Sequence, residues 1–240
     1  MANGYQYQSA KPLVITLTIL FGILLVLSLV LGACLLLNCV ALQKNLNPAG
    51  DPEPPDTAVA LMQFGGGVLW FLFYLITGIV FLVWISRANA NAHALGANDM
   101  SITPGWSVGW FFIPFANLVK PFINVREIWN ASDSDPRDVS ASGSAPLIVS
   151  AWWCLWILSN ICGRASGRAT WNASTPEQRL FANYLNLADD ILSVGALILV
   201  VGVIHGIHER QERLYEGLRK ARKKQAVAAA PEPQTYQSPW

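Results

Sequence analysis

Residues 13–37 read LVITLTILFGILLVLSLVLGACLLL and residues 61–85 read LMQFGGGVLWFLFYLITGIVFLVWI. Neither stretch contains an Asp, Glu, Lys or Arg, and each exceeds the roughly 20 apolar residues that a helix needs to cross a hydrocarbon layer of about 30 Å. Two further segments, 146–161 and 185–205, come near or reach that length; the first lies inside the charge-free run Val139 to Gly163, and the second overlaps the charge-free run Ile191 to His208, with Asp189 and Asp190 just before it. A soluble core is built from interrupted amphipathic stripes, not from runs like these. Lipid offers no partner to an open backbone N–H or C=O, so the runs must be helices. The fold class expected is an all-α membrane protein with four transmembrane helices.

The composition of the 240-residue chain agrees: 53% hydrophobic and only 13% charged, about half the charged share of a soluble domain. The net charge of +1 is uninformative, but its distribution is not. Asp51, Glu53 and Asp56 lie between the first two spans, in a loop that Pro48, Pro52, Pro54 and Pro55 keep from being helical. Arg87, Lys120, Arg126 and Arg137 lie between the second and third spans, and Arg210, Arg213, Arg219, Lys220, Arg222, Lys223 and Lys224 follow the fourth. Basic residues stay on the cytoplasmic side, so both termini are expected there. Arg164, Arg168 and Arg179 fall on the outside in this scheme and dissent from it.

Between the second and third spans, residues 100–119 carry no charge and on length alone would pass for a fifth span. Pro104, Gly105, Gly109 and Pro114 interrupt them. Further on, Phe115, Leu118, Phe122, Val125 and Trp129 recur at helical spacing, with Asn117, Lys120, Asn124 and Glu127 on another face. An interfacial or re-entrant amphipathic helix over about 105–131 fits this pattern better than a crossing. Trp106, Trp110 and Trp129 suit the headgroup level. The expected organisation is a disordered stretch 1–11, a membrane domain 12–208, a basic helical extension 209–225 and a disordered tail 226–240. Gly96 is the expected C-cap of the second helix, and Thr175 with Pro176 the expected start of the last.

Cys34, Cys39, Cys154 and Cys162 lie in or beside apolar runs and form no C-x-x-C pair, which suggests buried thiols rather than a metal or redox motif. Leu31-Gly32-Ala33-Cys34 resembles a lipoprotein cleavage box, but the residues after it stay apolar and a retained span is expected. There is no Gly-rich phosphate loop, G-x-S-x-G or H-E-x-x-H. Asp189 and Asp190 sit near the outer end of the last span, where a bare carboxylate is costly, and structural ion pairs with Arg164 and Arg168 are expected. His93, His205 and His208 fall at one depth near the inner helix ends. The last two share a helix face, which makes these three the weak candidates for a metal site; no metal or other cofactor is expected. Arg219, Lys220, Arg222, Lys223 and Lys224 are suited to anionic lipid. Gly202 and Gly206 would let helices approach closely, within one subunit or between two.

Arg87 with Asn91, Pro104-Gly105-Trp106, Trp110-Phe111, Pro114, Asn117-Leu118, Pro121 and Glu127-Ile128-Trp129 together resemble the bacterial membrane-protein family called domain of unknown function 4328. The likeness covers about residues 60–210 and is concentrated in 84–131. It implies a bacterial multi-span protein of the inner membrane with no assigned activity. Arg87, Asn91 and the P-x-x-N-L-x-x-P segment look like its signature. With Trp106, Asn117, Lys120 and Glu127, they are expected to line a polar pocket at the inner interface. A non-enzymatic scaffold or partner-binding subunit is expected first, a transporter or channel component second, and a membrane-embedded metal protein or enzyme third. Nucleic acid is not an expected partner.

Overall fold

The computed structural model describes residues 4–46, 57–135 and 139–228. The acidic proline-rich loop and the end of the tail, from residue 229, lie outside the described residues. Four helices are long and apolar enough to cross a membrane: α1 (Lys11–Asn45), α2 (Thr57–Leu95), α5 (Leu147–Asn172) and α6 (Pro176–Ala228). Between α2 and α5 stand the short α3 (Trp106–Gly109), two 3-10 turns (Trp110–Phe112 and Ala116–Leu118) and α4 (Lys120–Ser132). The chain is therefore an all-α membrane protein.

Local chemistry sets the ends of these helices. Gly96, at φ +117°, closes α2 as anticipated; its N–H reaches the His93 carbonyl at 3.1 Å and the Ala97 N–H reaches that of Ala92 at 3.1 Å. Thr175 caps α6 through its Oγ1, which accepts from the Gln178 N–H at 3.3 Å. The Gln178 side chain returns to the Ser174 N–H at 2.8 Å, reciprocating as in a capping box.

The four long helices form an incomplete ring. α1 packs against α2 and α6, and α5 packs along α6, whereas α2 and α5 stand apart. Gly202 and Gly206 serve contacts inside this chain: a methyl at Gly202 would press on Ile148 of α5, and one at Gly206 on the Trp129 ring of α4. Gly32 and Gly163 do the same for the last span, with room only for the Asp190 and Asp189 carboxyls, respectively. Residues 4–10, the end of α2, the part of α6 just beyond His205 and most of the described residues of 96–146 meet at one face of the bundle, the terminal face.

The segment between α2 and α5 bends back by 116°. Its turn is a tight one centred on Phe115 at φ +63°, ψ −41°, where the Ala116 N–H bonds the Pro114 carbonyl at 2.8 Å. This geometry is strained for a bulky residue, at a cost of about 1–3 kcal/mol. Phe112, Phe115 and Val119 are exposed around that tip, Phe115 by 84%. Behind it, Phe111 meets Phe81 of α2 edge-on at 6.0 Å, and the Trp153 indole N–H of α5 donates to the Leu118 carbonyl at 2.9 Å. Phe81 and Trp153 lie inside their helices' apolar runs, so the hairpin dips between α2 and α5 with an apolar tip. It is re-entrant.

Two expectations are corrected. Residues 4–10, expected to be disordered, run across the terminal face and are held there. The Gln8 N–H donates to Asn91 Oδ1 at 3.0 Å and the Gln8 carbonyl accepts from Asn91 Nδ2 at 2.9 Å. Tyr5 stacks on His93 at 5.5 Å and Tyr7 on Tyr215 at 4.2 Å. The extension of α6, expected to project freely, buries Ile207, Gln211 and Leu214 along one stripe before it leaves the bundle.

In a cysteine-free background, Gly4→Cys, Ser144→Cys and Lys220→Cys should react with a membrane-impermeant maleimide from one side, and Arg179→Cys from the other. If the hairpin were a fifth crossing, Gly4 would part from Ser144 and Lys220.

Candidate functional site

The six residues expected to share a polar pocket are put to separate uses. Asn91, fully buried, clamps the arm at Gln8 and faces Gln211 Oε1 at 3.4 Å. Glu127, 5% exposed, accepts from the Ser101 N–H at 3.0 Å and the Ser101 hydroxyl at 2.6 Å. Lys120 lies 5.3 Å from the centre of the Trp110 ring, on which Trp106 also packs at 4.9 Å. Arg87 and Asn117 are half-buried, and neither side chain is bonded to a described residue. A different residue centres this layer. Asn89, with no exposure, donates through Nδ2 to the Ile102 carbonyl at 2.9 Å and to Asn124 Oδ1 at 2.8 Å, which also receives the Ser107 hydroxyl at 3.3 Å. With Ser86 Oγ donating to the Pro104 carbonyl at 3.0 Å, these groups hold the backbone of 101–104 onto α2 and α4. The layer is a fastening for the re-entrant hairpin.

A second fastening lies at the surface. Asp99 accepts from the N–H groups of Ala141 and Ser142 at 2.8 and 3.2 Å and from the hydroxyls of Ser140 and Ser142, both at 2.8 Å. The Ala141 N–H bond leads in holding its pKa down to about 2. A carboxyl depressed in the folded state stabilises above its unfolded value, and that contribution is lost as pH falls through about 2.

The histidines do not converge. His205 Nε2 meets the Thr18 hydroxyl at 2.8 Å, His208 Nδ1 stands 4.0 Å from Glu212, and His93 stacks on Tyr5. Among the described residues no three His, Cys, Asp or Glu side chains are placed to hold a metal. The expected ion pairs do not form either. Neither Arg164 nor Arg168 bridges to Asp189 or Asp190; Asp189 instead accepts from the Ser193 hydroxyl at 3.3 Å, and Asp190 packs on Gly32. Close helix approach at Gly32 and Gly163 draws the carboxyls onto backbone and away from the arginines.

Those groups mark one end of a cavity of about 670 Å³. α2 and α5 form its sides, and Phe21 and Leu24 of α1 with Ala196 and Val200 of α6 form its back. Trp70, Tyr74, Phe81, Trp152 and Trp156 supply most of its walls. Toward the terminal face it is closed by an aromatic cluster in which Phe81 touches Phe111 at 6.0 Å and Trp152 at 6.3 Å. At the far end Asn160, Arg164, Asp189 and Ser193 line it. Such a size falls within the range of small-molecule sites, which are mostly apolar with a few placed polar groups.

Sequence reasoning had marked Arg164 and Asp189, but as partners of each other, and had missed Asn89, Asn160, Ser193 and Gln211 as participants. Gln211 carried a usable signal. It continues the stripe Ile204, Ile207, Gln211, Leu214 at helical spacing through an otherwise charged run.

Asn89→Ala should lower stability by about 1–3 kcal/mol, because the Ile102 carbonyl loses its side-chain donor in the interior and Asn124 Oδ1 keeps only the longer bond from Ser107. Arg87→Ala and Asn117→Ala should change it by no more than about 0.5 kcal/mol. Thermal unfolding in detergent measures all three; equal losses would mean that the layer is not centred on Asn89. Asp99→Ala should speed hydrogen exchange at Ala141 and Ser142 without altering exchange in α4.

No curated protein and no solved structure matches the chain. A family model described as Domain of unknown function (DUF4328) matches residues 47–209, more than half of the chain, and spans α2, the re-entrant hairpin, α5 and most of the membrane part of α6. The clamp residues Asn89, Asn91, Asn124 and Glu127, and both sides of the cavity, fall within it. The chain is thus a multi-span membrane protein of the DUF4328 family.

Proposed function

We propose that this protein is a non-enzymatic binding subunit of the membrane, and that it holds an amphipathic lipid between α2 and α5. The observation that carries this is the cavity, lined by aromatic rings of α2 and α5 and polar at one end. Burying an alkyl chain there gives about 25 cal/mol per Å² of apolar surface against water, but far less against lipid, so apolar walls alone select little. Selection would come from the polar end. Arg164 and Asp189 line it without pairing to each other. A headgroup with an anionic acceptor for the guanidinium and a donor for the carboxyl complements both, which favours a zwitterionic lipid.

A transport path for a hydrophilic solute would need polar groups throughout. Here Phe81, Phe111 and Trp152 close the way toward the terminal face. Both termini and the Asn89 layer would lie in the cytoplasm of a bacterial cell, with the basic end of α6 providing the topogenic charge. A scaffold role is compatible with lipid binding, since an occupied cavity would brace the one open side of the ring.

Gly78 lines the cavity and has open space where a side chain would extend. Gly78→Trp should fill the cavity without unfolding the protein. Native mass spectrometry of protein released from mild detergent should show a bound phospholipid in the unaltered chain and its loss in Gly78→Trp. Arg164→Gln should keep an adduct but weaken the preference for zwitterionic headgroups. An adduct that survives Gly78→Trp unchanged sinks the proposal.

A further inference from the structure

A second recess, of about 640 Å³, opens at the terminal face. Its walls come from three places: Tyr5, Gln6 and Tyr7 on the N-terminal arm; His93, Leu95, Gly96 and Asn98 at the end of α2; and Tyr215, Leu218, Arg219 and Arg222 on α6. The formally charged side chains lining it are Arg219 and Arg222, both cationic. They are three residues apart and so on one helix face, and neither has a hydrogen-bond or ion-pair partner among the described residues. Glu212, seven residues before Arg219, is engaged by the Ser9 hydroxyl and stands beside His208. Glu216 does not line the recess.

His93 adds a second, independent observation. Both of its ring nitrogens are buried and neither has a hydrogen-bond partner. An imidazole always carries at least one N–H, and a buried donor left unpaired in a native fold calls for an acceptor. Two of the four terminal α2 carbonyls are taken up by the cap: the His93 and Ala92 carbonyls accept from Gly96 and Ala97.

We infer that the recess among the N-terminal arm, the end of α2 and Arg219 and Arg222 binds a phosphate group, with two guanidinium forks and one imidazole N–H as its donors. Guanidinium geometry matches phosphate oxygens in pairs. The group could belong to a lipid or to a soluble molecule, and depth favours the soluble one. His93 lies eight residues beyond Ile85, the expected end of the second span, or about 12 Å along a helix. Arg219 lies fourteen beyond His205, or about 21 Å. The headgroup layer reaches only about 5–8 Å past the hydrocarbon. The recess also exceeds a bare phosphate in volume and has room for a phosphorylated metabolite of nucleotide size. Because Tyr5 to Tyr7 form one wall, a bound ligand would hold the arm against the bundle.

Full-length protein in phosphatidylcholine nanodiscs, titrated calorimetrically with inorganic phosphate and with adenosine monophosphate, tests this. The unaltered chain should bind, and Arg219→Gln/Arg222→Gln should weaken binding by about tenfold or more. Lys223→Gln/Lys224→Gln, which removes the same charge outside the recess, should leave it within about twofold. Hydrogen exchange at residues 4–9 should slow on adding adenosine monophosphate. If instead it slows in nanodiscs containing phosphatidylglycerol with no phosphate added, and the arginine variant abolishes that, the phosphate group is a lipid's. No binding to either probe and no response to anionic lipid overturns the inference, as does equal binding by the two double variants.

Discussion

A peptide group in hydrocarbon has no water to bond, so any backbone that enters the bilayer must satisfy itself or be satisfied by protein. The long helices meet this condition along their whole length. The re-entrant hairpin cannot, because Pro104 and Pro114 break it and Phe115 turns it sharply. It is held through local turns and borrowed partners: the Trp153 indole on the Leu118 carbonyl beside the tip and, at the terminal face, Asn89 on the Ile102 carbonyl and Ser86 on that of Pro104. Much of the polar chemistry at the terminal face answers this one requirement.

That requirement also shapes the cavity. By packing Phe111 edge-on against Phe81, which itself meets Trp152, the hairpin helps close the terminal end of the gap between α2 and α5. It leaves the rest of the gap open, walled by Trp70, Tyr74 and Trp156. The residues that look most like a catalytic or binding signature, Asn91 and Glu127 above all, are fasteners: one for the arm, one for the loop at Ser101. Arg164 in the cavity and His93, Arg219 and Arg222 in the recess beside the arm have side chains with no such partner among the described residues. A side chain that is already satisfied has little left for a ligand, so partnerless polar groups are the better guide to binding.

How much of this was legible varied with the range of the interaction. Helix caps at Gly96 and Thr175 were readable because a cap joins residues three to five apart. The amphipathic helix expected over 105–131 was legible only in its second half, where Lys120–Ser132 is helical; the tight turn at Phe115 breaks the first half into short pieces. The order of the N-terminal arm was not, since a short polar stretch looks the same whether it floats or lies on a surface. Its partners, Asn91 and Tyr215, are far away in the chain. The Arg164–Asp189 pairing failed for a related cause: equal depth implies opportunity, but the rotation of α5 and α6, set by Gly163 and Gly32, decided which atoms met.

By itself, then, the order of residues determined that this chain is helical, that it enters a bilayer, and where its spans lie. Those follow from the solvation of apolar side chains and peptide groups, which needs no knowledge of neighbours. Only the tertiary structure decided that α2 and α5 stand apart, that the hairpin turns back, and that the arm, His93 and two arginines enclose one recess. Each depends on how helices are rotated and spaced against one another, a matter of packing among residues distant in the chain.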